Sequence, residues 1–150
     1  MSAAVNLKVG ELVKGRELVI SPERVQWYGD GMHSAATGEL RRAGENIHTD
    51  VAYAQKQGLH TAIADGMMST AWINSMLLET FGRHYLERGE LRTKYIKTTD
   101  VGITIRIFGK VTERVEQADG VKFVLDVWTE DLAGVKLTVG DAAVEVRTGV

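Results

Sequence analysis

Apolar residues recur along this chain with two different periods, and the change from one to the other divides it. Between residues 67 and 81 the apolar set is Met67, Met68, Ala71, Trp72, Ile73, Met76, Leu77, Leu78 and Phe81. At 3.6 residues per turn these positions cover well over half of a helix surface, which predicts one long helix nearly engulfed by the rest of the fold. From Leu91 onward the period is two. Ile103, Ile105, Ile107 and Val111 alternate with Thr104, Arg106, Lys110 and Thr112, and Val121, Phe123, Leu125 and Val127 alternate with Lys122 and Asp126. Each run predicts a strand with one dry and one wet face. Ala118-Asp119-Gly120 and Leu132-Ala133-Gly134 supply the turns. In the last run the apolar positions move from Val135, Leu137 and Val139 to Ala142, Val144 and Val146, a slip of one residue that predicts a β-bulge at Gly140-Asp141. Weaker patterning predicts strands over residues 7–20 and 91–98.

In the first half, Ser21 precedes the only proline, Pro22, which is the order of an N-cap followed by a first helical position. A short helix or turn over residues 23–28 follows from it. Residues 29–44 carry Gly29, Gly31, Gly38 and Gly44 with little periodicity, which predicts a loop with at most one helical turn. Asp50 reads as the cap of a short helix over residues 51–57, with Val51 and Ala54 on one face and Gly58 in the left-handed position beyond its end. A long apolar helix and a meander of half-wet strands both bury their dry faces if the sheet curls around the helix, an α+β arrangement of the hotdog type.

Length and composition narrow this picture. A chain of 150 residues is the size of one domain and buries roughly 70% of its unfolded surface. Its 18 Lys and Arg against 20 Asp and Glu give a net charge of −2, so no basic excess exists to neutralise a phosphate backbone and nucleic acid is not an expected partner. The absence of cysteine removes disulfides, thiolate nucleophiles and cysteine-held metals together. The longest charge-free apolar run, residues 66–78, is well short of the ~20 residues that span a bilayer. No basic-then-apolar leader pattern begins the chain, so a cytoplasmic location without membrane attachment is expected. His33, His60 and His84 lack metal-ligand spacing, and neither metal nor cofactor is expected.

The segment from Glu45 through Asn46, Ile47, His48, Thr49, Asp50, Val51, Ala52, Tyr53 and Ala54, followed by Gly58-Leu59 and Ile63-Ala64-Asp65-Gly66-Met67-Met68, resembles the MaoC-like dehydratases and (R)-specific enoyl-CoA hydratases. Their motif has the form Asp-x-Asn-Pro-Ile/Leu-His-x-Asp, with an aromatic-Ala pair after it and Ile-x-His-Gly-Met opening the central helix. Spacing from His48 to Gly66 matches without a gap, and a weaker likeness runs on through Asp100-Val101-Gly102 to Val146. The resemblance implies a hotdog fold, an acyl thioester substrate on coenzyme A or a carrier protein, and a homodimer or higher homo-oligomer. The chain departs from the motif in its acid and base. With His48 in register, the family's catalytic aspartate falls on Ala43, its asparagine on Glu45, its proline on Asn46 and the histidine before the glycine on Asp65. The helical hydroxyl of the family falls near Asn74.

Hydration of a 2-enoyl thioester needs a group to handle water and donors for the enolate oxygen. The resemblance puts the Gly66 amide, at the positive end of the buried helix, in the donor's role; the plainer reading is a tight loop-to-helix turn. His48 is the candidate proton shuttle, as the side chain that ordinarily titrates nearest neutrality. Glu45 or Asp65 could orient His48 or activate water, and each could equally be a solvated loop charge. Asn46 could hold a water or the thioester carbonyl. Asn74, if buried, needs a partner in the site or in the structure. Tyr53, Met67 and Trp72, with Met68 and Met76, read as core or acyl-pocket lining, and Asp50 as a cap. Lys94, Lys97, Arg106 and Lys110 could meet phosphates but are more simply wet-face charges. Phe108, Val124 and Trp128 fall on the outer face, where an apolar patch favours burial in an oligomer. Three functions remain open: a hydratase or dehydratase; another elimination, isomerisation or thioester hydrolysis; and a non-catalytic hotdog subunit.

Overall fold

The computed structural model describes residues 6–39 and 44–147. Along the chain run β1 (Leu12–Lys14), β2 (Leu18–Val19), α1 (Pro22–Thr37), α2 (Val51–Lys56), α3 (Gly66–Phe81), α4 (Arg83–Arg88), β3 (Gly89–Tyr95), β4 (Thr104–Gln117), β5 (Gly120–Asp131) and β6 (Lys136–Arg147). All strand pairs are antiparallel, in the order β1-β4-β5-β6-β3, with β2 also on β4. The period-two positions point inward as expected: Ile105, Ile107 and Val111 of β4, Phe123, Leu125 and Val127 of β5, and Ala142, Val144 and Val146 of β6 are all buried. They close on Met68, Ile73, Met76, Leu77 and Phe81 of α3, and Phe81 meets Phe123 at a ring separation of 5.7 Å. This is the hotdog fold.

Four expectations are corrected. Residues 22–37 form a helix of four turns rather than a short helix and a loop. Ser21 caps it through Oγ, which accepts from the Arg24 amide at 3.2 Å, and Gly38 ends it at φ 72°. Gly29 and Gly31 each cost about 1 kcal/mol against alanine in a helix; burial of Val25 and packing of Tyr28 one turn on override that preference. The stretch 7–20 is two short strands broken at residues 15–17 rather than one.

The slip in the last strand lies elsewhere. Pairing of β5 with β6 runs unbroken through Gly140 and Asp141, and the irregularity falls at Leu137, between the pairs Thr129–Thr138 and Glu130–Lys136. Val139 therefore sits beside Trp128 while Thr138 and Ala142 turn inward. Gly140 is required for a different reason: a Cβ there would stand 2.0 Å from the Arg92 carbonyl oxygen of β3. The bulged Leu137 carbonyl instead accepts the amides of both Ile96 and Lys97, at 2.9 and 3.0 Å, and so turns the chain after β3.

Finally, α3 is not engulfed. Met67 and Leu78 are 54% and 40% exposed, and Ala71 and Asn74 lie exposed between them along one stripe. On the outer sheet face Phe108 and Trp128 stack at 5.4 Å, and Lys136 lies 4.4 Å over the Trp128 ring, so these residues shield one another. Among the described residues no helix is long and apolar enough to cross a membrane.

Candidate active site

The loop before α2 is built by Asn46. Its Oδ1 accepts from the amides of His48 and Thr49, at 2.8 and 3.1 Å, and its Nδ2 donates to the Gly44 carbonyl at 2.8 Å. Asp50 then caps α2, its Oδ1 accepting from the Tyr53 amide at 2.9 Å. This braced turn leans on residues 62–64, which pair with residues 99–101 through Ala64 N–H to Thr99 and Val101 N–H to Ala62. The Ile63 amide donates to the Ile47 carbonyl at 3.1 Å. In return, His48 Nδ1 lies 2.8 Å from the Ile63 carbonyl oxygen. A carbonyl only accepts, so Nδ1 carries the proton and Nε2 of a neutral ring is left with its lone pair.

Nε2 stands 3.8 Å from Asp65 Oδ2, beyond direct hydrogen bonding. The other oxygen of Asp65 accepts from the Met67 amide at 2.8 Å, which makes Asp65 the N-cap of α3. Gly66 is the first residue of that helix. No described group bonds its amide, as befits one of the unpaired donors at a helix start. Tyr95 covers this end, since a Cβ on Gly66 would lie 2.7 Å from its ring. The Tyr95 hydroxyl is within 2.8 Å of Thr70 Oγ1, which in turn is within 2.8 Å of Thr93 Oγ1.

His48 is the wall common to two cavities. The larger, about 360 Å³, is also lined by Gly66, Ser69, Tyr95, Lys97 and Thr138. The smaller, about 100 Å³, lies under α1 and is lined by Val25, Tyr28, Asn46, His48 and Asp65. Tyr28 holds its phenol proton above the ordinary range, chiefly through burial and secondarily through the Asp65 and Tyr95 charges.

The structure thus brings together His48, Asp65 and Gly66. Asn46 lines the smaller cavity, but both ends of its amide are engaged by the loop. Glu45 is exposed and outside both linings. Tyr53 is exposed on α2, and Met67 is exposed with its sulfur 3.3 Å from the Tyr95 hydroxyl. Trp72 lines a separate cavity on another flank of α3. Asn74 is exposed rather than buried, and its Oδ1 accepts from the Tyr85 hydroxyl. Ala43 lies outside the described residues. Among the cations, Lys97 reaches the larger cavity, whereas Arg106 pairs with Glu130 at 3.1 Å. Among the described residues no three His, Asp or Glu side chains converge as a metal site would need.

Tyr28 and Tyr95 fall in an expected helix or turn and an expected strand, but neither is among the expected site residues. Tyr28 follows Val25 and precedes Met32 at helical spacing, a signal hidden by the glycines between them. Tyr95 reaches the site through long-range register, opposite Thr138, which no local pattern carries.

No family model matches the chain, and no curated protein matches its sequence. Solved structures match its fold. An R-hydratase from Pseudomonas aeruginosa in the unliganded form gives a TM-score of 0.72 at 17% identity, over 96% of this chain and 84% of that one. The (R)-hydratase from A. caviae involved in PHA biosynthesis gives 0.70 at 16% identity, over 94% and 98%. A MaoC-like dehydratase from Rhodospirillum rubrum gives 0.71 at 15% identity, over 97% of each chain. At these identities the likeness establishes a shared hotdog fold, the architecture of known hydratases and dehydratases.

Proposed function

We propose that this chain is a single MaoC-like hotdog domain acting as a hydratase or dehydratase on an acyl thioester. The observation that carries the reading is the shared cavity: His48, whose Nε2 is the ring nitrogen left free by the Ile63 contact, and Gly66, whose amide is unpaired, both line the same 360 Å³ hollow. In the hydration direction, His48 Nε2 takes a proton from water as the oxygen adds to the β-carbon. The Gly66 N–H and the positive end of α3 stabilise the enolate oxygen, and the proton returns to the α-carbon. Asp65, 3.8 Å from Nε2, holds the water or steadies the imidazolium while it exists. Dehydration is the same path reversed.

Lys97, at the mouth, is suited to a phosphate of coenzyme A or of a carrier's pantetheine. The free edge of β3 and the exposed stripe of Met67, Ala71, Asn74 and Leu78 beside it favour a homodimer joined along that side. A cytoplasmic location belongs to the same reading.

Loss of conjugated thioester absorbance from a panel of 2-enoyl-CoA substrates tests it, with free-thiol release followed in parallel. Hydration without thiol release is expected. Thiol release alone would mean hydrolysis, and folded protein inert on every thioester would remove the proposal.

A further inference from the structure

A cavity of about 240 Å³ opens on another flank of α3, distinct in its lining from the two cavities that His48 walls. Its floor is Trp72 and Met76 of α3, Leu18 of β2 and Ile107 of β4. Met76 and Ile107 are essentially buried, and Trp72 and Leu18 are half-buried, so the floor is apolar. Its rim is cationic. Arg16, in the break between β1 and β2, and Arg24, in the first turn of α1, both border it, against a single carboxylate from Glu79. Arg16 Nη2 pairs with Glu79 Oε1 at 2.8 Å, and Arg24 has no ion pair among the described residues. The floor and the rim come from four elements and one loop, so the arrangement depends on the whole fold and not on one local motif.

We propose that this cavity binds a small amphipathic anion, a short aliphatic carboxylate whose head meets Arg16 and Arg24 and whose tail lies on Trp72 and Met76. Guanidinium groups suit a carboxylate because their planar fork of donors matches its two oxygens. The apolar floor accounts for a tail, since a purely inorganic anion would leave it wet. The volume lies below the ~300–1,000 Å³ of pockets for drug-sized ligands, which limits the tail to a short one. Glu79 acts against the ligand: it occupies Arg16 and repels a second carboxylate.

The test is titration of the full chain with hexanoate, followed by amide and indole chemical shifts and by calorimetry. Saturable binding is expected, with shifts centred on the Trp72 indole, which Trp72→Phe assigns. Acetate, hexan-1-ol and hexylammonium should each bind at least tenfold more weakly. Arg16→Gln and Arg24→Gln should each weaken hexanoate about tenfold, a loss of one charge-assisted contact. Glu79→Gln should tighten it, a gain that a merely disrupted surface would not produce. His48→Ala should leave it unchanged. No saturation, equal binding of the alcohol or the amine, retained affinity in the doubly substituted Arg16→Gln/Arg24→Gln chain, or shifts centred on His48 and lost with His48→Ala would each overturn the proposal.

Discussion

His48 Nδ1 and the Ile63 carbonyl oxygen are 2.8 Å apart, and that contact decides which ring nitrogen is available for chemistry. The partner is a backbone carbonyl, fixed by its own strand-like pairing with residues 99–101. The ring is thereby oriented without a carboxylate behind it, the arrangement a proton shuttle needs. Replacement His48→Ala is expected to lower turnover of an enoyl thioester by about 10²–10⁴-fold, the usual worth of a positioned acid or base. Circular dichroism should be unchanged, because the ring is only partly buried. An undiminished rate in folded protein would exclude the imidazole from the reaction.

Under the proposed function Asp65 carries two tasks that two substitutions separate. As an N-cap it is replaceable by asparagine, so Asp65→Asn should leave the denaturation midpoint nearly unchanged, while Asp65→Ala should cost about 1 kcal/mol. As the charge beside His48 Nε2 it is not replaceable, and Asp65→Asn should lower turnover. If both variants lose activity only in proportion to stability, Asp65 is a cap and nothing more.

Tyr28 reports on the same charge. Burial raises its phenol above the ordinary value of 10.0, and Asp65 then Tyr95 push in the same direction. The folded state therefore holds this proton more tightly than the unfolded chain. Stability from this group is unaffected well below pH 10.0 and falls as the pH rises through the unfolded value toward the folded one. Phenolate absorbance, with Tyr28→Phe as the blank, should show a late-titrating tyrosine that moves to lower pH in Asp65→Asn. A Tyr28 titration insensitive to Asp65 would put the two groups too far apart to share a site.

Much of the fold was legible because burial leaves a periodic mark, and the errors fall where it does not. The inward faces of β4 and β5 follow directly from Ile105-x-Ile107 and Phe123-x-Leu125-x-Val127. Gly29 and Gly31 masked the helical spacing of Val25, Tyr28 and Met32, because propensity is local and the packing that overrides it is not. Gly140 marked a close approach to β3 rather than a bulge, a distinction that only the third strand reveals. At the site, Gly66 was readable as a helix start and Asp65 as a carboxylate within reach of His48, whereas the capping of α3 by Asp65 was not read from the sequence. The engagement of Asn46, the exposure of Glu45 and the cover from Tyr95 depend on how distant segments meet.

The contact between Gly66 and Tyr95 makes a prediction of coupling. In Gly66→Ala the new Cβ would fall 2.7 Å from the Tyr95 ring, which must swing away and give up its hydroxyl contact with Thr70. The expected cost is about 1–3 kcal/mol, as for other overpacked positions. Because the ring is the atom group in the way, Tyr95→Ala should recover most of that cost in the double variant, giving an interaction energy well outside the ~0.5 kcal/mol of independent sites. Additive losses would mean that the ring is not seated on Gly66.

Asn46 tests whether the loop itself is part of the catalytic apparatus. Its amide spends both acceptor contacts on the His48 and Thr49 amides and a donor contact on Gly44. Asn46→Asp keeps the acceptors and loses only the donor, whereas Asn46→Ala loses all three. If Asn46 acts by holding the backbone under His48, turnover should fall in the order wild type, Asp, Ala, with the fall in kcat exceeding any change in KM, since the ring and not the bound thioester is displaced. The bond between His48 Nδ1 and Ile63 should loosen in parallel, visible as a changed imidazole nitrogen shift. A variant that raises KM alone, with the imidazole signature intact, would instead put the Asn46 amide against the substrate, and the loop contacts would then have to open on binding.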